Sequence, residues 1–543
     1  MVLKVLRNAV FASAIVCTFI TNTSISYGQT YSKRTPYSFN DKDGKAPRKA
    51  LEAAGYFKLW KKLDGRIPGG AGPNPGKAGN YGISLLQVES GLPDANKFPT
   101  IIGALKTGYK SHATTVASIL TSKIERYAPN GENPPRAIYP LGFAGTLKRH
   151  QAITASTWNN EILKTKGSTG KYNAILPSYT SNIPKTDIIS ASYASVGYVG
   201  DKNNHEGLRR LDYLLAKNNT LLFSSQPGSY AETNATSSGN VYNGIVVGKP
   251  TANYNYVDGT TLDNLNGARM KPDIVAAQMI YNSADVNTGF NGASSYSTPT
   301  VATGGAVLLD KAHNTKSLNA ATDMRVMKAI IMAGAGKDYL VTPPTKANPV
   351  VTDKPGSYTW TNSTSSPLDK HYGAGMFNIY NSYTILEAGK ITKGGDFEAD
   401  ANTGWDKAST DGIAGSKNEY KFTLGTSGTF SAILAWNRLV TPNSDANAYD
   451  ATLADLKIVL TDEDGNQITF SDSKSDNVEH IYIKDLKAGN YILSVDEVGN
   501  TGATEYGLAW QTQATDQVPE PTSIAVLLIG GAGLLKRRRK KQN

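Results

Sequence analysis

The chain is expected to fold as an α/β domain with a largely parallel sheet, followed by an all-β sandwich. Three observations predict this. From residue 79 to 390, short apolar runs alternate with amphipathic segments, the pattern left by strand–helix crossovers. After a glycine-rich junction near residues 389–395, strand-like runs follow one another with turns and no helical periodicity. The length of 543 residues, 39 % of them hydrophobic, suffices for two sizeable cores and excludes a disordered chain.

Residues 1–28 hold Lys4 and Arg7, an apolar run over 9–20, and the small-residue exit Ser26-Tyr27-Gly28. That order is expected of a cleaved export signal. Cys17, the sole cysteine, lies inside it, so the mature chain is expected to hold no disulfide. Residues 29–78 read as an N-terminal extension and linker, with one helical patch near 46–63 and a Gly/Pro tract at 69–76. In the α/β region, buried strands are expected at 83–88, 188–192, 221–224, 245–248 and 273–276. Val116, Ile119, Leu120 and Ile124 share one helical face, as do Leu208, Leu211 and Leu215. Within 395–515 seven strands are expected, at 420–424, 429–436, 456–461, 467–470, 479–483, 490–495 and 506–510. Residues 518–543 comprise Val518-Pro519-Glu520-Pro521, an apolar run over 524–535, and six basic residues at 536–541. That run is short of the ~20 residues a stable bilayer span needs, and the basic end is expected to stay cytoplasmic.

The formal charge of +11 suggests an anionic partner until it is located. The two ends carry most of it, and residues 29–517 keep about +4, so nucleic acid is not an expected partner.

Three segments carry chemistry. Gly82-Ile83-Ser84-Leu85-Leu86-Gln87-Val88-Glu89-Ser90-Gly91 is a buried strand ending in a carboxylate and a turn. Ser111-His112-Ala113-Thr114-Thr115-Val116-Ala117 opens a helix with an imidazole. Gly292-Ala293-Ser294-Ser295-Tyr296-Ser297-Thr298-Pro299-Thr300-Val301-Ala302 sets a serine at the head of an apolar helix. Ends of strands and starts of helices are where α/β sheets gather ligands. A serine hydroxyl becomes a nucleophile only when an imidazole takes its proton. The imidazole in turn needs an acceptor on its other nitrogen.

The acid–His–Ser order resembles that of the subtilases, the subtilisin-like serine peptidases. The Ser295 segment is similar to G-T-S-M-A-x-P-x-V-A-G, and the His112 segment to H-G-T-x-V-A. Gly267-Ala268-Arg269-Met270-Lys271-Pro272-Asp273-Ile274-Val275-Ala276 resembles G-R-x-K-P-D-I-V-A-P, and Gly373-Ala374-Gly375-Met376-Phe377-Asn378 resembles G-x-G-x-V-N. The resemblance covers about 79–390. It implies a three-layer αβα peptidase domain whose triad is Glu89, His112 and Ser295, acting on protein or peptide substrates without a cofactor. Two departures stand out. Glu89 replaces the family's Asp, and no Asn matches its oxyanion donor, leaving Gln226 as the side-chain amide in that place. By the same resemblance Ser190, Ala191 and Ser192 are expected to pair with extended substrate. The alternative is a catalytically impaired subtilase fold that binds at the cell surface or in the extracellular matrix.

The C-terminal segment closely resembles the PEP-CTERM sorting signal of Gram-negative bacteria. This implies an exosortase-type partner, a transient inner-membrane tether, and delivery to the cell surface or outside the cell. Residues 395–515 resemble the bacterial pre-peptidase C-terminal domain, notably at Asp476-Asn477-Val478-Glu479-His480-Ile481 and Leu486-Lys487-Ala488-Gly489-Asn490-Tyr491. No metal ligand set is expected. The acidic turn Asp462-Glu463-Asp464 could chelate structural calcium, although solvated hairpin charges explain it more simply.

Overall fold

The computed structural model describes residues 54–62, 82–121, 147–166, 171–172, 175–193, 202–226, 238–249, 269–277, 294–338, 340, 358–443 and 448–514. All belong to one compact unit spanning Tyr37–Asn543. The export and sorting segments expected at 1–28 and 518–543 lie outside the described residues, as does the 69–76 tract.

The α/β region holds a six-stranded sheet in the order β2-β1-β3-β4-β5-β6. The strands are β1 (Ile83–Glu89), β2 (Leu147–Thr154), β3 (Ile188–Ala191), β4 (Leu221–Ser225), β5 (Ile245–Gly248) and β6 (Ile274–Val275). Every pairing is parallel. Their C-terminal ends therefore share one edge, where Glu89, Ser192 and Gln226 emerge. Alternation along each strand sorts side chains to two faces. Leu85, Ile188, Leu221, Phe223 and Ile245 face one core, while Leu86, Val88, Ile189, Leu222 and Val246 face another.

Helices α1 (Tyr56–Lys62), α2 (Ser111–Leu120), α3 (Lys202–Asn218), α4 (Ser294–His313), α5 (Met324–Ala333) and α6 (Ile379–Ala388) accompany the sheet. Val116, Ile119 and Leu120 of α2 share the first core with Val301, Ala302 and Ala306 of α4, and Leu208, Leu211 and Leu215 of α3 enter the second. α4 runs close beneath the sheet. A Cβ on Gly305 would stand 2.5 Å from Phe223 Cζ, and one on Gly304 2.2 Å from Phe377 Cζ. The 373–376 turn closes on β6. The Val275 N–H donates to the Gly375 carbonyl at 3.0 Å, and the Phe377 N–H to the Val275 carbonyl at 2.7 Å.

The sequence does not announce β2. Its Leu-Lys-Arg-His-Gln-Ala-Ile-Thr string has no period-2 apolar signal, because the strand lies at the sheet's margin. There the chain around Ile102 covers it, with Ile102 N–H donating to the His150 carbonyl at 3.0 Å.

The second region is a sandwich of two four-stranded antiparallel sheets. Its strands are β7 (Gly404–Ser409), β8 (Lys417–Leu424), β9 (Gly428–Trp436), β10 (Leu456–Asp462), β11 (Gln467–Ser471), β12 (Val478–Leu486), β13 (Gly489–Glu497) and β14 (Glu505–Ala514). The sheet orders are β8-β13-β10-β11 and β12-β9-β14-β7. β7 is additional to the seven expected strands. Its only large apolar side chain, Trp405, is buried and donates its indole N–H to the Leu386 carbonyl of α6 at 3.0 Å. The hairpin of Leu439–Pro442 with Tyr449–Thr452 is likewise additional.

The 390–395 boundary separates the two kinds of secondary structure but not two cores. Trp405, Ile433, Ala435, Val478 and Ala509 of the sandwich pack in the same cluster as Ala329, Ile330 and Ala333 of α5. A buried ionic network crosses the junction too. Asp212 of α3 and Arg438 are both 0 % exposed and meet at 2.5 Å. Asp212 also accepts the N–H groups of Asn243 at 2.7 Å and Tyr242 at 3.1 Å. Arg269 and Arg438 each lie over the Tyr242 ring, at 3.4 and 4.2 Å from its centroid. Arg269 reaches Asp476 of the sandwich at 3.4 Å.

Removing one partner of a buried pair strands the other charge. Asp212→Ala is therefore expected to cost about 3–5 kcal/mol in urea unfolding. Because the cores are shared, unfolding is expected to remain one transition when followed separately by sandwich tryptophans and by far-UV dichroism.

Candidate active site

Glu89 ends β1 and His112 is the second residue of α2. Three ties hold the first turn of α2 to the end of β1. The Lys110 N–H donates to the Leu92 carbonyl at 2.9 Å, and the Asp94 N–H to Thr114 Oγ1 at 3.0 Å. Gln87, on the same strand face as Glu89, donates from Nε2 to the Ala113 carbonyl at 2.9 Å. Its Oε1 meets His150 Nε2 of β2 at 3.1 Å. This polar bracket in an otherwise apolar strand is what places the imidazole over the carboxylate.

Glu89 and His112 form a hydrogen-bonded pair, Nδ1 to Oε2 at 3.0 Å. Glu89 is 1 % exposed, whereas the imidazole is half-open to solvent. Burial pushes Glu89 up to about 7, against the hydrogen bonds and charge of its neighbours, which pull it down. The hydrogen bond to Glu89 raises His112 above its ordinary 6.5, with burial opposing. The pair thus keeps a proton to higher pH than an isolated imidazole would.

Ser295 is the second residue of α4, one position before Tyr296, whose ring lies 5.3 Å from that of His112. Ser295 is half-buried. No hydrogen bond joins it to His112 among the described residues. The arrangement therefore unites Glu89 and His112, and among the described residues no hydrogen bond engages the Ser295 hydroxyl. Pro299 lies in the second turn of α4 and has no N–H to offer the Ser295 carbonyl, and Ser294 Oγ donates to the Gln226 carbonyl instead. The N–H groups of the first helical turn point away from the helix body, as at any helix N-terminus.

The structure sets Gln226 differently from the sequence expectation. Its side chain is buried behind the strand ends, donating from Nε2 to the Lys271 carbonyl at 3.2 Å, with Oε1 3.0 Å from where a Cβ of Gly248 would lie. Ser190 and Ala191, expected to pair with substrate, pair in the sheet with β1 on one side and β4 on the other. Ser192 donates its N–H to the Val88 carbonyl at 3.2 Å and is only 2 % exposed. Sequence reasoning did not single out Gln87 or Tyr296. The readable sign for Gln87 is a polar residue two before Glu89 in a buried strand. Tyr296 had none.

Among the described residues no three His, Cys, Asp or Glu side chains converge as a metal site. In the turn after β10, Asp462 accepts the Asn466 N–H at 2.8 Å and its side-chain amide at 2.9 Å, and Glu463 accepts from Asn490 at 2.7 Å. No described helix is long and apolar enough to cross a membrane.

No family model matches the chain, and no curated protein does. Solved structures that resemble it include fervidolysin from Fervidobacterium pennivorans, a keratinolytic enzyme related to subtilisin. It is 11 % identical over 89 % of this chain and 83 % of that one, with a TM-score of 0.37. The PatG macrocyclase in complex with peptide is 10 % identical over 56 % of this chain and 91 % of that one, at 0.30. The pre-peptidase C-terminal domain of a Bacillus anthracis collagenase is 16 % identical over 21 % of this chain and 95 % of that one, at 0.16. These are weak likenesses.

An NMR titration of His112 tests the pair without reference to any activity. The imidazole is expected to titrate above 6.5. In Glu89→Gln the carboxylate that raises it is gone while burial remains, so its pKa is expected to fall below 6.5.

Proposed function

We propose that the chain is an exported serine endopeptidase working by acyl transfer with a Glu–His–Ser set. The observation that carries this reading is the buried Glu89 bonded to His112 Nδ1, with Ser295 at the head of a buried helix, one residue before Tyr296, whose tilted ring lies 5.3 Å from that of His112. Ser295 Oγ attacks a peptide carbonyl and its proton passes to His112 Nε2. Glu89 holds the imidazole in the right tautomer and stabilises the imidazolium. The first N–H groups of α4 support the oxyanion. With the Gln226 amide turned toward Lys271, the backbone takes the larger share of that task. His112 then protonates the leaving amine, and a water activated by His112 hydrolyses the acyl-enzyme.

The same reading takes 1–28 as the export signal and 518–543 as a PEP-CTERM-type signal. It makes an exosortase-type enzyme the sorting partner and the cell surface the destination. No cofactor or nucleic acid enters it.

The absence of a Ser295–His112 bond among the described residues favours a second reading, a subtilase-like scaffold that binds without cleaving. A fluorophosphonate probe separates the two. If Ser295 is the nucleophile, its oxygen displaces fluoride from phosphorus, and mass spectrometry finds the adduct there. Ser295→Ala is expected to lose labelling and to lower peptide hydrolysis by on the order of 10⁶-fold. A folded wild-type protein that stays unlabelled overturns the peptidase reading in favour of the scaffold.

A further inference from the structure

Glu89 has two oxygens, and His112 uses one. Oε2 takes the imidazole at 3.0 Å, while Oε1 is buried without a completed hydrogen bond. Ser192 Oγ is buried in the same condition. The backbone bond from Ser192 N–H to the Val88 carbonyl sets Ser192 beside the end of β1. Alternation from Ile188 through Ser190 turns its side chain to the face on which Glu89 and Gln87 lie. The Ser192 hydroxyl is near enough to act on the carboxylate, as the one side-chain donor besides His112 that pulls Glu89 downward.

We infer that Ser192 is a positioning residue whose hydroxyl closes on Glu89 Oε1 when His112 takes up a proton, so that the carboxylate is held from both sides. This rests on the peptidase reading for its purpose but not for its geometry. A buried carboxylate that must stay ionised opposite an imidazolium needs every donor it can reach. The extra methylene of Glu relative to Asp gives the carboxylate a longer reach from β1, and β3 lies beside it.

The titratable and charged groups on the elements around Glu89 are His112 on α2, Lys110 just before it, Tyr296 on α4 and His150 on β2. Burial pushes His150 down to about 3, so it stays neutral. Of these groups, only His112 acts electrostatically on Glu89. Thr154 pairs with Glu89 in the β2 register and does not titrate.

The test reads the Glu89 carboxyl by carbon-detected NMR titration in the full chain, which needs no turnover. Ser192→Ala is expected to raise the Glu89 midpoint by about one pH unit, and Ser192→Thr to restore it. Ser190→Ala, one step back along the same face, is expected to leave it in place. If the wild type hydrolyses peptide, the acid limb of kcat/KM moves up with the Glu89 midpoint in Ser192→Ala, and kcat falls about tenfold with KM held. An unchanged Glu89 titration in folded Ser192→Ala overturns the inference, whether or not Ser295 labels. Unlabelled Ser295 with a shifted Glu89 overturns the peptidase reading alone. Should Ser192→Ala fail to fold, Ser192→Cys keeps the volume with a weaker donor and carries the same test.

Discussion

The Asp212–Arg438 pair, with Tyr242 held between two guanidiniums, is the interaction on which the rest of this structure leans. Placing so many charges out of water is favourable only when each meets an opposite charge or a carbonyl. Here they do. Arg269 donates to the Asn240 and Val241 carbonyls at 2.9 and 3.0 Å, and Lys328 of α5 to the Tyr242 carbonyl at 3.0 Å. Lys271 lies 2.6 Å from Asp273, whose other oxygen accepts the Val246 N–H of β5 at 2.7 Å. The sandwich contributes Arg438, Asp476 and Asn477 to this set, so it completes the burial of the α/β region.

The network also reaches the site by a contiguous path. Arg269 and Asp476 fix the segment leading into Lys271. The Lys271 carbonyl accepts from the Gln226 amide, and the Gln226 carbonyl accepts from Ser294 Oγ, next to Ser295. Gln226 thus has a physical task in this fold, which is to tie the head of α4 to the strand ends. An amide already bonded inward is a poor free donor for an oxyanion, and the helix N-terminus supplies N–H groups without any such conflict.

The parallel strands were legible because full burial on both faces forces continuous apolar runs, as in Ile-Val-Val-Gly of β5. The sandwich strands were legible through their turns. β2 and β7 were not, because a margin strand answers to only part of a core and can afford Lys, Arg and Asp. The pairing of Glu89 with His112 could be anticipated from motif order, since a strand end and a helix start are points the backbone fixes. The setting of Gln226 and the closed pairing of Ser190 and Ala191 could not. Both depend on which strands become neighbours, and strand order has no local signal in the residues themselves. The interlocking of sandwich and α/β region was hidden for a related reason. Asp212, Arg269 and Arg438 are far apart in the chain, and each alone resembles an ordinary surface charge.

A glutamate in a buried carboxylate–imidazole pair differs from an aspartate in more than length. A carboxylate on a longer stem loses side-chain entropy when it is fixed, so it must be gripped more firmly to orient an imidazole as well. In this fold the grip on His112 comes from the backbone ties of Lys110 and Asp94 and from Gln87 beneath Ala113. The grip on Glu89 comes from burial, which by itself pushes the group toward its neutral acid. A neutral Glu89 could still accept from Nδ1–H, but it could not stabilise an imidazolium by charge. The site therefore works as a base only if enough donors surround Glu89 to keep it ionised as His112 charges. Burial pushes Glu89 up to about 7 while its hydrogen bond lifts His112 above 6.5, so the two groups compete for one proton.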